Sequence, residues 1–328
     1  MKRTIIDKLD ALEEAGKITH EQRLQLEKEY FNSQPASKQE SPPEEDSDFD
    51  SSTGDFENNE EDCQTSLPVI PGTMIVCKCI DEDIEIVGDP NLEQIEIRKG
   101  RDLVDVRTSE TNVSIKSKKN LSPGSIFTGR RKRLIQILVP TNIAVTLKTV
   151  SGDLRLHNLS QNILAKSVSG DIQGCELTGL SEFETISGDI ELDAVQKIEK
   201  AITKSGDIEI TNSMIHGHLK CFSGDIQLEN THVLDSELGT FSGDISLKDV
   251  TPEKTVYLKT FSGDLYAHLF TKGGTIATKE TEKPRKFIDL EGKERSFSSK
   301  PVSFGNGTDV ELIVKIKSGD EKIRLEEN

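Results

Sequence analysis

The chain has 328 residues, enough for one large or two modest domains, with 5% aromatic residues and no tryptophan. Its formal net charge of -17 excludes nucleic acid and anionic membrane surfaces as partners of the molecule as a whole. Met1 to Lys8 holds no apolar run of signal-peptide length, and no stretch approaches the roughly 18 apolar residues of a membrane span. A soluble protein that starts in the cytoplasm, without a transmembrane segment, is therefore expected. The cysteines Cys63, Cys77, Cys79, Cys175 and Cys221 are odd in number and lack framework spacing, which predicts reduced thiols.

Residues 1–31 predict a hairpin of two short helices. Ile5, Ile6, Leu9 and Leu12 share one helical face, Gly16 closes the first helix, and Thr19 with Gln22 forms a capping box before Leu24, Leu26 and Tyr30. So small a hairpin buries too little to stand alone. Its apolar residues Ile5, Ile6, Leu9, Leu12, Leu24 and Leu26 predict self-association or docking on a protein partner. From 32 to 66 lies an acidic linker, with eleven Asp or Glu and no Lys or Arg between Glu40 and Asp62. That composition offers too little burial to offset chain entropy, so no packed structure is expected there.

Strands resume over 67–144 as short alternating or β-branched runs: Met74 to Ile80, Ile84 to Val87, Ile95 to Ile97, Leu103 to Val106, Val113 to Ile115 and Leu134 to Val139. They predict irregular opening coils that cap the first regular repeat. Arg130 to Arg133 is a basic run suited to a solvated turn, to the acidic linker or to an anionic ligand.

A Ser-Gly-Asp phrase then dominates the chain. It occurs as Ser151-Gly152-Asp153, Ser169-Gly170-Asp171, Ser187-Gly188-Asp189, Ser205-Gly206-Asp207, Ser223-Gly224-Asp225, Ser242-Gly243-Asp244 and Ser262-Gly263-Asp264, with starts 18 to 20 residues apart. A fixed period near 20 residues is the signature of stacked repeats. Three and five residues after each Ser stand apolar or small residues, as in Ile208 and Ile210. Between them lies an outward step such as Glu209. Four residues before each Ser stands another apolar residue, such as Ala201 or Leu219, and immediately before it Val150, Val168, Ile186, Phe222, Phe241 or Phe261, with Lys204 the exception. Each repeat thus reads as strand, tight corner, strand and a polar return, the Gly supplying a conformation closed to other residues and the Asp bonding its own backbone. The fold class predicted is mainly β: a single-stranded parallel β-solenoid over 67–328, with regular coils at 145–268 and irregular coils and a cap at 269–328. Right-handed winding is expected from the crossover rule. After Leu265 the motif returns once, at Ser318, with degenerate coils or a looped insertion expected over 272–303 and final strands at Val310 to Ile316 and Ile323 to Leu325.

The aligned aspartates would form a carboxylate row with neighbours about 5 Å apart, for which structural turn chemistry is favoured over calcium. His216, His218 and Cys221, and separately Cys77 with Cys79, are the only metal-like groupings. Neither has a second ligand pair at a usual spacing, so no metal and no cofactor are expected. No nucleophile-and-base arrangement, phosphate loop or nucleotide fingerprint occurs, so no catalytic residues are assigned.

Thr185 to Ile190 and Thr240 to Ile245 resemble the repeats of the bacterial "putative adhesin" family of β-strand repeat proteins, a domain of unknown function. Leu12 to Thr19 resembles the small SHOCT-like helical hairpin of its YvlB- and LiaX-type members. The resemblance implies a non-enzymatic scaffold linked to cell-envelope stress, with an envelope or membrane-protein partner and a place at or near the cell surface. A calcium-stabilised adhesin and a carbohydrate-active β-helix are the alternatives.

Overall fold

The computed structural model describes residues 65–70, 72–109, 111–118, 133–278, 284–307 and 310–327. The hairpin expected at 1–31, nearly all of the linker at 32–66 and the basic residues 130–132 lie outside these. One compact unit runs from Cys63 to Asn328. Its first strand is Thr65–Pro68, so the β domain opens two residues before Leu67, inside the stretch assigned to the linker.

Two parallel sheets meet at the Ser-Gly-Asp corners. The entry sheet holds the strands that lead into a corner, such as Ala144–Lys148, Ile163–Lys166, Ser181–Glu184, Ile198–Thr203 and Met214–Cys221. The exit sheet holds those that leave it, such as Leu154–His157, Ile172–Cys175, Ile190–Asp193, Ile208–Thr211 and Ile226–Glu229. Every one of these strands pairs with its counterpart one coil on, so Ile190, Ile208 and Ile226 lie in register, as do Phe183, Ala201 and Leu219. These columns are almost fully buried while Glu191, Glu209 and Gln227 face outward, the alternation expected of strands with one wet face.

The return arm is less polar than its sequence suggests. It buries Leu159, Leu177 and Val195. Its coils also stack by backbone bonds, as in Thr178 N–H to Leu159 O (2.9 Å) and Gln196 N–H to Leu177 O (2.8 Å). At the start of each return one residue takes the left-handed conformation: Asn158, Glu176, Ala194, Asn212, Asn230 and Asp249, with φ between 49° and 56°. Asn and Asp tolerate this region better than alanine does. Ala194→Asn is therefore expected to stabilise the domain by about 0.5–1 kcal/mol and raise its melting temperature by roughly 1–4 °C, measured by circular dichroism. No gain would mean that Ala194 carries no strain.

Both ends depart from sequential stacking. In the exit sheet Asp83–Asp89 sits between Leu134–Pro140 and Leu154–His157; in the entry sheet Met74–Lys78 sits between Asn112–Ser117 and Ala144–Lys148. The chain thus makes its second coil first, goes out to the tip and returns to fill the coil below. Gln94–Lys99 and Val104–Thr108 close that tip as antiparallel strands, and Thr65–Pro68 flanks the first of them.

The far end repeats the device. Val310–Ser318 pairs directly with the strand ending at Ser262, and Glu321–Glu326 with Leu265–Phe270. The late Ser318-Gly319-Asp320 is therefore the next regular corner rather than a final edge. Gly273–Thr278 and Arg285–Ile288 lie beyond it, each with an antiparallel partner, Val302–Gly305 and Glu294–Phe297. Antiparallel caps suit this task, since a bare parallel edge would present unpaired backbone groups for aggregation.

Candidate functional site

The corners form one continuous hydrogen-bonded ladder. Each aspartate offers Oδ1 to the backbone N–H of the aspartate one coil on: Asp171 N to Asp153 (3.2 Å), Asp189 to Asp171 (3.0 Å), Asp207 to Asp189 (2.8 Å), Asp225 to Asp207 (2.8 Å), Asp244 to Asp225 (2.8 Å) and Asp264 to Asp244 (2.7 Å). Asp320 N–H continues it to Asp264 at 2.8 Å. The carboxylate row predicted from the repeats exists, and backbone donors stabilise its charge. Its aspartates bond the next coil, not their own turn.

Glycine plays a different part from the one the turn chemistry suggested. Gly152, Gly170, Gly188, Gly206, Gly224, Gly243 and Gly263 are not left-handed; among the corner glycines only Gly319 has a positive φ, +133°. Their need is space. A Cβ on any of them would lie 1.8–2.2 Å from the carbonyl oxygen of the corner below. The buried residue two before each Ser completes the clamp, with Thr185, Thr203, Thr240 and Thr260 donating Oγ1–H to the glycine carbonyl below at 2.9–3.2 Å.

Asp81-Glu82-Asp83 is the same corner in disguise, one coil below Ser151. Asp153 N–H bonds Asp83 Oδ1 at 3.0 Å, and Ser151 N–H bonds Ile80 O at 2.8 Å. Here the glycine slot holds Glu82, 1% exposed, whose carboxylate accepts Ser117 Oγ–H at 2.6 Å and pairs with Arg133 at 2.9 Å. Of the basic run, Arg133 thus has a structural role, bridging Asp81 and Glu82. The Asp-x-Asp-Ile pattern was the available signal for this corner.

Of the residues before each Ser, Val168 is buried, at 8% exposure, but the aromatic ones are not. Phe222, Phe241 and Phe261 stand on the outside at 50%, 44% and 41% exposure. Their rings stack at 4.8 and 4.6 Å, tilted by 1° and 10°, and Lys317 Nζ caps the stack 4.3 Å from the Phe261 centroid.

The metal-like groupings do not converge. His216 and His218 face outward while Cys221 is buried, its Sγ 3.0 Å from Gly206 O in the slot that threonine fills elsewhere. Burial first, and Asp207 second, push the Cys221 thiol up to about 12; burial and then Glu82 do the same to Cys79, also to about 12. Cys77 is raised by burial and by Cys79. All three are protonated at neutral pH, so they are poor thiolate ligands and poor nucleophiles. Among the described residues no group of three or more His, Cys, Asp or Glu is placed to hold a metal, and no helix is long and apolar enough to cross a membrane.

A stack of nearly identical coils, held by main-chain ladders and closed at both ends, defines a β-solenoid repeat protein. The chain belongs to the Toastrack DUF4097 family, whose model matches residues 80–295. No curated protein matches it. Similar solved structures include a "putative lipid binding protein" from Parabacteroides distasonis, 11% identical with a TM-score of 0.39, covering 79% of this chain and 96% of that one. A "putative adhesin" from Bacteroides fragilis is 13% identical with a TM-score of 0.40 (80% and 95%). A "putative cell adhesion protein" from Clostridium sporogenes is 12% identical with a TM-score of 0.17 (80% and 98%). At these scores the likeness carries no functional argument.

Proposed function

We propose that the protein is a non-catalytic scaffold of the bacterial cell-envelope stress response, self-assembled or docked on an envelope protein through residues 1–31. The observation that supports a scaffold is the corner ladder, in which the residues repeated most faithfully bond the next coil through Oδ1, Oγ1 and backbone groups. Such a rod holds its outward faces at fixed spacing, which is what an interaction platform needs. The envelope assignment rests on the resemblance of Leu12 to Thr19 and of the repeats.

Light-scattering mass of the full chain and of a version starting at Cys63, each with and without millimolar calcium, tests this. A multimer that becomes monomeric without residues 1–62, with no change on adding calcium, is expected. Two monomers would end the self-assembly reading and leave docking on another protein. A melting temperature raised by calcium would favour the calcium-stabilised adhesin.

A further inference from the structure

The outward face of the entry sheet treats its lysines in two ways. In the later coils Lys166, Lys200, Lys220 and Lys259 have acidic partners. Glu184 pairs with Lys166 (2.7 Å) and with Lys200, and Glu237 pairs with Lys220 (3.6 Å) and Lys259 (2.8 Å). Burial would raise the Glu184 carboxyl, yet hydrogen bonds from Lys166 and Lys200 hold it below its ordinary value; Lys259 lowers Glu237 likewise.

In the first coils this compensation thins to the two ends of a row. Lys116, Lys78, Lys148 and Lys166 stand in register on four successive strands. Strand spacing of about 4.8 Å makes them a straight row roughly 14 Å long. Asp105 stands opposite Lys116 on the antiparallel tip strand and Glu184 holds Lys166, but among the described residues no carboxylate forms an ion pair with Lys78 or Lys148. The neighbouring outward column, Ser114, Val76, Thr146 and Leu164, is uncharged. The carboxylates of the adjacent corners are engaged, Asp81 with Arg133 and Asp153 with Arg155.

Like charges directly opposite on neighbouring strands destabilise a sheet. A row that departs from local consistency in this way marks a surface kept for a ligand. We propose that Lys116, Lys78, Lys148 and Lys166 form a binding strip for a linear, flexible polyanion bearing phosphate groups. The strip is one residue wide on a protein of net charge -17, so a planar anionic membrane would meet repulsion on either side, whereas an extended chain lies along the row. The row contains lysine and no arginine, so it presents point charges at a regular spacing rather than forks for single carboxylates. Affinity then comes from counterion release and falls steeply with salt. The inference concerns the rod alone and is independent of assembly through residues 1–31.

Binding of long-chain inorganic polyphosphate to the full chain, monitored by fluorescence anisotropy at about 50 and about 200 mM salt, tests it. Lys78→Glu with Lys148→Glu is expected to weaken binding at least tenfold and flatten the salt dependence. Lys272→Glu with Lys322→Glu, the same charge change on lysines near the other end, should weaken it less than threefold. Lys78→Gln with Lys148→Gln should lose affinity while the melting temperature rises slightly, an opposition that a structural role would not produce. Equal losses in the two Glu variants, or no binding by the parent, would overturn the proposal. So would binding that appears only after the acids between Glu40 and Asp62 are neutralised, since the chain's own acidic segment would then be the occupant. Lysine-dependent binding to anionic vesicles without binding to polyphosphate would overturn it too.

Discussion

Replacing Gly206 with alanine is expected to destabilise the β domain by about 3 kcal/mol or more and to lower its melting temperature by roughly 6–12 °C. The new Cβ would sit 2.0 Å from Gly188 O, 2.6 Å from Gly188 C and 2.7 Å from Asp189 Oδ1. Two of those atoms are backbone and the third belongs to the aspartate ladder, so none can swing aside. Moving the corners apart would stretch Ser205 N–H to Ile186 O (2.9 Å), Asp207 N–H to Asp189 Oδ1 (2.8 Å) and Thr203 Oγ1–H to Gly188 O (2.9 Å) together. The site is also near the middle of the stack, where losing one interface divides the column in two. Gly239→Ala is the control. Its Cβ would meet only Lys259, at 3.7 Å, and its φ is not positive, so a change within about 0.5 kcal/mol is expected. Thermal melts of the two variants decide the point: similar melting temperatures would mean that close approach is not why the corner requires glycine.

The period of the repeats was legible because two strict requirements recur with it. Ile190, Ile208 and Ile226 must face inward, and no side chain fits at the corner, so chemistry and spacing coincide. The reason for glycine was not legible. Conformation and crowding both select it, and only the next coil, 18 residues away, distinguishes them. The exposure of the Phe222, Phe241 and Phe261 column was not legible for a related reason: only stacking with its copies above and below, a coil away, satisfies an exposed ring. Asp81 to Asp83 was hidden because Glu82 replaces the glycine of the phrase. The order of the end coils was beyond local reading altogether. Met74–Lys78 pairs equally well with Asn112–Ser117 and Ala144–Lys148, and which strand fills which side depends on long connections whose closure entropy grows only slowly with length. The lysine row was invisible for the same reason, since Lys78, Lys116 and Lys148 become neighbours only through that order.

Ile208→Asp is expected to be the most damaging single change, by about 4–5 kcal/mol or more, with a melting temperature lowered by more than about 10 °C. Ile208 is fully buried between Ile190 and Ile226, and a carboxylate there would face aliphatic side chains above and below without a donor. Slipping the strand by one residue offers no escape. It would bury Glu209 in place of the new aspartate and pull Asp207 away from the N–H of Asp225, exchanging one buried charge for another and breaking the ladder as well. Glu209→Lys, one residue away, is expected to stay within about 0.5 kcal/mol, because Glu209 is exposed. Its sign should be favourable, since a cation would then stand beside Glu191 in place of a second carboxylate. Urea melts of both variants test inward against outward directly. Comparable losses in the two would contradict the alternation, and a silent Ile208→Asp would mean that the column between the sheets is not what holds the coils together.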